Sequence, residues 1–301
     1  MYSQQRRDSR FIARLKQKLG ISLGLFYLYD ARPLNGVRTC VLPVAKQARL
    51  TFSLVTPSYN QGRYIGETIS SVLSQSYPLV EYVIQDSLSA DETPEVIASF
   101  HDSRLRAFYE KDTGQANAIN RGFLRTSGDI MAYLNSDDLL LPDALTQVAA
   151  YFEANPDVDA LYADRLIIDE QSNVIGHWRL PAHSSAVTRV VDYVPQETLF
   201  WRRSLWEQAG GKLDDTLQFA MDWDLVLKFQ SVGANIAHIP VFTGAFRVHA
   251  CQKTQAALTA GKREMRHVRN RYTSRSARYF LFPLHVLYLF RHVMLDARPL
   301  E

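Results

Sequence analysis

The chain has 301 residues, 47% hydrophobic and 22% charged, with two cysteines, Cys40 and Cys251. That is one large or two small domains of ordinary globular composition, which excludes a disordered chain, a collagen-like repeat, a disulfide scaffold and a cysteine-built zinc cluster. The net charge of +3 hides an asymmetry: residues 1–20 hold six Lys/Arg against one Asp, residues 262–301 nine against three acids, and the stretch between them carries a net −8. An acidic body is a poor nucleic-acid groove, which needs a basic face on the folded domain. Basic ends suit either an anionic membrane surface or solvated helical tails. The longest apolar stretch, Tyr279–Phe290, is about twelve residues, short of the roughly 20 of a spanning helix. No secretory signal pattern is present, and the sparse cysteines read as a cytoplasmic protein.

In chain order, strands alternate with helices. Thr51–Thr56 is a β-rich run ending at Pro57. Tyr64–Ser74 places Ile65, Ile69, Val72 and Leu73 at helical spacing. Glu81–Gln85 is a strand, Glu92–Phe100 a helix, Leu105–Tyr109 a strand, Gln115–Thr126 a helix and Ile130–Leu134 a fourth strand. Pro142–Glu153 reads as a helix with proline in its first turn, where the missing N–H costs nothing. This β-α-β-α order predicts a parallel sheet with helices on both faces. The second half is less regular. Ala160–Ile168 and Val174–Trp178 read as a hairpin around Gln171–Asn173. Ser204–Ala209 is a short helix ending at Gly210-Gly211. Ala220–Gln230 is a longer one with Met221, Leu225 and Phe229 on one face, and Val241–Val248 is a last strand. The pattern divides the chain into a helical N-terminal extension (1–49), a catalytic α/β domain (50–252) and a basic amphipathic helical C-terminal extension (253–301).

In open α/β sheets, ligands bind outside the carboxyl ends of the strands. Four such ends are polar here: Thr56-Pro57-Ser58-Tyr59-Asn60-Gln61-Gly62, Asp86-Ser87-Leu88-Ser89-Ala90-Asp91, Glu110-Lys111-Asp112-Thr113-Gly114-Gln115 and Asn135-Ser136-Asp137-Asp138. Asp, Ser and Asn favour turns and caps anyway, so the weight lies in four loops together. Asp137 and Asp138 repel each other, and a divalent cation relieves that repulsion. Oxygen donors of this kind suit Mg²⁺ or Mn²⁺ completed by substrate phosphates. The alternative is a helix N-cap ahead of Pro142. The absence of GxxxxGK[ST] and GxGxxG disfavours an ATPase or a dehydrogenase, which leaves a nucleotide-diphosphate donor as the fitting ligand.

The run Ser53-Leu54-Val55-Thr56-Pro57-Ser58-Tyr59-Asn60, then Ile69-Ser70-Ser71-Val72-Leu73-Ser74-Gln75, Glu81-Tyr82-Val83-Ile84-Gln85-Asp86 and Gly128-Asp129-Ile130 leading to Leu134-Asn135-Ser136-Asp137-Asp138, resembles the family 2 glycosyltransferases of the GT-A fold. The likeness runs from Thr51 to Thr254. It implies a Rossmann-like mixed sheet flanked by helices, and inverting transfer of one sugar from a nucleotide-diphosphate sugar with Mg²⁺ or Mn²⁺, in polysaccharide or glycolipid assembly. Through the resemblance, Pro57, Tyr59, Asn60, Asp86, Gln115, Asn117 and Asn135 fall in the nucleotide site. Asp137 and Asp138 occupy the metal and ribose motif. Asp222 matches the catalytic base, Gln196 faces the transferred sugar, and His249 supports the metal or diphosphate, with Lys253 nearby. Two departures stand out. Asp86-Ser87-Leu88-Ser89 replaces the usual Asp-Gly-Gly-Ser, and Asn135 replaces an Asp, so one charge is lost there.

On residue chemistry alone Asp222 reads sooner as a helix cap, Asp224 as a solvated helix residue and His249 as a core or turn histidine, while Trp223 reads equally as an acceptor platform or plain core. An ionised Asp222 is favoured by a helix N-terminus. Residues 9–29 and 262–298 mix Arg and Lys with aromatic and aliphatic residues, as interfacial helices do. Such helices either meet a membrane that carries a glycan or lipid-linked acceptor, or pack on the domain or on a second copy of the chain. The rival functions are a sugar nucleotidyltransferase, which wants a glycine-rich basic loop after the first strand, and a non-catalytic binding protein of this fold, which would shed Asp137, Asp138 or Asp222.

Overall fold

A computed structural model of the chain describes residues 27–34, 49–249 and 258–296. One ten-stranded mixed sheet carries the structure. Its order is β1 (Tyr27–Pro33), β8 (Asn173–Trp178), β7 (Ala160–Ile168), β9 (Phe200–Arg202), β5 (Ile130–Tyr133), β2 (Phe52–Ser58), β3 (Val80–Asp86) and β4 (Leu105–Tyr109), with β10 (Ile236–Arg247) joined to β6 (Leu139–Leu140) and β7. Strands β5, β2, β3 and β4 are parallel, as expected. The β7–β8 hairpin and β9 are antiparallel, and β10 runs parallel to β7. Residues 27–33, expected within a helical extension, instead form β1, which adds an antiparallel edge strand to β8. Cys40, Cys251, Lys253 and the basic stretch of residues 1–26 lie outside the described residues.

Register explains where the site falls. Ser58 of β2 pairs with Asp86 of β3, and Asp86 with Tyr109 of β4, so the loops that follow leave the sheet side by side. Strand β2 is buried along its whole length, which is why it reads as a continuous β-rich run. Helices α1 (Gly62–Leu73), α2 (Thr93–Ala98), α3 (Gln115–Phe123) and α4 (Ala144–Ala154) link these strands. A Cβ on Gly122 of α3 would stand 2.4 Å from Val55 Cγ1, so a glycine lets the helix settle on β2. Beneath the second half, Trp201 stacks on Trp206 at 6.0 Å and meets Phe229 and Phe123.

Helix α4 starts at Ala144, not at Pro142. Asp143 is left-handed (φ 60°) and β6 intervenes, so Asp137 and Asp138 are not its cap. Strand β10 starts five residues earlier than Val241. Pro240 sits at an exposed irregularity between Ile239 and Phe242, where a proline costs no ladder bond. After α5 (Ser185–Thr188), α6 (Arg203–Gln208) and α7 (Met221–Ser231) come two further helices, α8 (Leu258–Tyr272) and α9 (Arg275–Asp296). Both fold back onto the sheet domain. Tyr288 of α9 meets Tyr193 at 4.6 Å and donates to the Pro181 carbonyl at 3.2 Å. His292 donates from Nδ1 to the Arg179 carbonyl (2.8 Å) and accepts from the Trp178 indole.

Candidate active site

One cleft of about 1540 Å³ opens at the carboxyl ends of the parallel strands. Pro57, Tyr59, Gln115, Asn135, Asp137, Asp138, Gln196, Asp222 and His249 all line it. At one end Tyr59 is 62% exposed, an aromatic face free to stack. Behind it, Asn60 takes a left-handed conformation (φ 51°) and accepts from the Ala90 N–H at 2.9 Å. Asp86 is fully buried, and Ser89 closes a turn on it through its N–H (2.8 Å) and hydroxyl (2.6 Å). Neither Asn60, which is exposed, nor the buried Asp86 is among the residues that line the cleft. The second loop keeps a left-handed turn without glycine. Leu88 itself adopts the left-handed conformation (φ 58°), at an expense of about 1–2 kcal/mol for an L-residue.

Two expected site residues stand apart from the cleft lining. Asn117 lies off the lining face of α3, which presents Gln115 and Ala118. Trp223 is 1% exposed, and its Nε1 donates to the Thr188 carbonyl at 2.7 Å, so it is core and offers no platform.

Asn135 organises the centre. Its amide oxygen accepts from Gln115 Nε2 (2.6 Å), and its Nδ2 donates to Asp138 Oδ2 (3.1 Å). An Asp at 135 could not make that donation. Asp138 also accepts the Arg247 N–H at 3.0 Å. Burial first, then Asp137 and Glu197, push its carboxyl well above the usual range. Asp137 is the more open of the two, and its Oδ2 lies 3.0 Å from His249 Nε2. The His249 ring rests on Tyr64 at 4.8 Å. Arg247 is wholly buried and ties the Asp137 carbonyl (2.8 Å), the Asp169 carbonyl (3.1 Å) and Glu67 (2.9 Å) together. It braces the acidic loop from below.

The other end of the cleft is carboxylate-rich. Asp222 is the second residue of α7, not its cap, and accepts the Trp223 N–H at 2.8 Å. Burial pushes its carboxyl up to about 6, against that N–H and against Arg165. The helix end does not hold it low, yet most of it is ionised at neutral pH. Asp192 stands in the same cleft. Burial first, then Asp222, push its carboxyl well above the usual carboxylate range. Glu197 pairs with Arg165 (3.3 Å), whose guanidinium lies over Trp178 and Phe246. Gln196 donates to the Tyr133 carbonyl at 2.6 Å, while its buried Oε1 has no partner among the described residues.

Helix α8 forms the wall beside Asp222. Glu264 accepts the backbone N–H groups of Gln218 (2.9 Å), Phe219 (2.7 Å) and Ala220 (3.2 Å), so a carboxylate from another helix anchors the start of α7. Asp224 is fully buried rather than solvated, bonded by Arg271 (2.9 Å), Tyr272 (3.1 Å) and Lys228 (3.0 Å). Asp192, Arg165, Arg247 and Glu264 escaped the sequence reading. Glu197 adjoins Gln196, and Arg247 lies two residues before His249, in the segments that carry the resemblance. Glu264 gives no local signal, because its partners are 44 to 46 residues away.

A profile of glycosyl transferase family 2 matches residues 53–215, so the chain belongs to that family. It is 33% identical over 196 residues to the O-antigen biosynthesis protein RfbC of Myxococcus xanthus, covering 64% of this chain and 15% of that protein. The chain spans between 15% and 66% of the length of the curated relatives it matches. Staphylococcus aureus TarS 1–349 in complex with UDP-GlcNAc superposes with a TM-score of 0.59 at 18% identity, over 69% of this chain and 61% of that one. The mannosyltransferase PcManGT of Pyrobaculum calidifontis, in complex with GDP-Man and Mn²⁺, gives 0.53 at 18% identity, over 97% and 73%. The fold is GT-A, with a mixed Rossmann-like sheet flanked by helices. No helix among the described residues is long and apolar enough to cross a membrane.

Proposed function

We propose that the chain is an inverting glycosyltransferase that moves one sugar from a nucleoside-diphosphate sugar to a hydroxyl of a glycan or lipid-linked acceptor in polysaccharide or glycolipid assembly. The carrying observation is the single cleft in which the exposed Tyr59, the Asp137–His249 pair and the Asp222 carboxylate all face one space. In this reading the base stacks at Tyr59, between the loops of β2 and β3. Asp222 accepts the proton of the acceptor hydroxyl as its oxygen bonds the anomeric carbon and the bond to the diphosphate oxygen breaks. A carboxylate in this role contributes on the order of 10²–10⁴-fold.

Asp137 and His249 offer one carboxylate oxygen and one imidazole nitrogen 3.0 Å apart and facing the cleft. Among the described residues there is no group of three or more metal-binding side chains, so the protein supplies part of a shell and not a cage. That fits Mg²⁺ or Mn²⁺ shared with a diphosphate, which would neutralise charge on the leaving group. Asp138, with one oxygen on a backbone N–H and the other on Asn135, positions the pair from behind.

Calorimetric titration with UDP, GDP and dTDP, each with Mn²⁺ and with EDTA, tests this reading. One nucleotide should bind in a metal-dependent way, and Asp137→Ala should abolish the dependence. A folded protein that binds none of them under any condition would make it a non-catalytic binding protein.

A peripheral membrane contact also has a specific observation behind it. Along α9, Phe280, Leu284, Leu287, Phe290 and Met294 are exposed on one stripe beside Arg291. Apolar ridges flanked by arginine bind anionic lipid surfaces. Full-length protein should float with phosphatidylglycerol vesicles, and Phe280→Glu with Phe290→Glu should leave it in the pellet fraction. Unchanged flotation of the variant, or self-association through the same face, would refute the lipid contact.

A further inference from the structure

The wall of the cleft built by α8 presents three cations that the reaction as described does not use. Lys262, Arg266 and Arg269 recur at i, i+4 and i+7, on one face of the helix, and all three line the cleft. Elsewhere on the same helix an arginine has its counter-charge: Arg271 meets Asp214 at 3.0 Å and Asp224 at 2.9 Å. Lys262, Arg266 and Arg269 have no carboxylate partner among the described residues. Arg269 is half-buried and already fixed. Its Nε donates to the Val190 carbonyl at 2.9 Å, and its guanidinium lies 5.6 Å over the Trp223 ring. Its Nη groups stay unpaired among the described residues. Burial, and then the repulsion of Arg278 and Arg266, lower its affinity for its own proton, the mark of positive charge left uncompensated.

These contacts also fix which substrate the cations serve. Val190 is two residues from Asp192, and Trp223 follows Asp222, so Arg269 stands at the end of the cleft where the acceptor hydroxyl must lie. The nucleotide loops carrying Tyr59, Leu88 and Lys111 form the opposite end. We infer that Lys262, Arg266 and Arg269 form a subsite for an anionic group on the acceptor, a phosphate monoester or diester, which is held on α8 while the hydroxyl reaches Asp222. A planar, preset guanidinium beside a second one suits phosphate oxygens, which accept paired N–H bonds. The cleft, at about 1540 Å³, exceeds the 300–1,000 Å³ of an ordinary small-molecule pocket and has room for a donor and a charged acceptor together.

This inference rests on the transferase reading, and the experiment separates the two. Full-length protein is first saturated with Mn²⁺ and whichever of UDP, GDP or dTDP it binds, then titrated with glycerol 1-phosphate and, in parallel, with glycerol. Failure to bind any nucleotide overturns the transferase reading, and the subsite with it. With nucleotide bound, glycerol 1-phosphate should still bind and glycerol should not. Arg266→Glu, an exposed position that leaves the core intact, should weaken the phosphate probe by about tenfold or more, because bonds to charged groups are among the stronger ones. Arg263→Glu, off the lining face of the same helix, should change nothing. Two results overturn the inference while sparing the transferase reading: no binding of the phosphate probe, or binding that Arg266→Glu leaves unaltered. A third does so as well. If saturating nucleotide displaces the probe and Arg266→Glu weakens the nucleotide itself, the cations serve the donor's diphosphate.

Discussion

The two ends of the cleft are built in opposite ways. The nucleotide end comes from consecutive β-α units. Each contributes a loop, and parallel register aligns Ser58, Asp86 and Tyr109 in one row. The acceptor end is gathered from distant pieces: Asp192 from a connection, Asp222 from α7, and Lys262 and Arg269 from α8. At the first end position follows from the sheet. At the second it depends on contacts such as those of Glu264 that hold one helix to another. Local rules therefore predict the first end, and tertiary packing decides the second.

The sharpest way to break this contrast is Asp222→Asn. Glycosyl transfer should fall by about 10²–10⁴-fold while nucleotide affinity, measured by titration, stays at the wild-type value. Next comes Glu264→Ala. It leaves the N–H groups of Gln218, Phe219 and Ala220 without their acceptor, and should cost about 1–3 kcal/mol in urea unfolding. Turnover should drop with nucleotide affinity intact, and Glu264→Gln, which keeps one acceptor oxygen, should recover part of it. Equal loss of nucleotide binding would show that the two ends are not independent.

Acidity separates the ends too. Asp222 titrates at about 6, so turnover should rise through pH 6 and level off above it as the carboxylate forms. Glu197 is among the groups that raise Asp222, and Arg165 lowers it. Glu197→Gln should therefore move the rising limb to lower pH, read from a pH–rate profile. The smallest effect belongs to the nucleotide end. Leu88→Gly should stabilise the protein by about 1 kcal/mol by relieving a left-handed leucine. Nucleotide affinity should shift only modestly, because the Asp86–Ser89 turn stays intact.

How much of this could be read from the chain follows the same division. Strands β2 to β5 and the loops after them were legible because each is a short apolar run closed by polar turn residues, with helical spacing between. The hairpin of β7 and β8 and the face of α7 followed from periodicity as well. Strand β1 was not, since an edge strand drawn from outside the alternating region has only its partner β8 to define it. The start of β10 was masked by Pro240, which the irregularity beside Ile239 accommodates. At the site, ordered motifs pointed to Asp137, Asp222 and His249, and the structure brings all three to one cleft. Asp86 and Asn60 stand in the loops the motifs indicate, without lining the cleft. Trp223 could not be assigned from its neighbours, because only the Thr188 carbonyl and the Arg269 guanidinium show that it is enclosed. The carboxylate of Glu264 and the cations of α8 look like any solvated basic helix until α8 lies against α7.

The grip of Glu264 on Gln218, Phe219 and Ala220 also has a consequence for the order of events during synthesis. The ribosome delivers the segment that carries the base well before the helix that holds it, and chains fold largely in the order in which they emerge. The nucleotide end can therefore assemble on a nascent chain while the acceptor end still waits for its wall. On the proposed function, a growing polypeptide would then present its donor loops before the wall at its acceptor end.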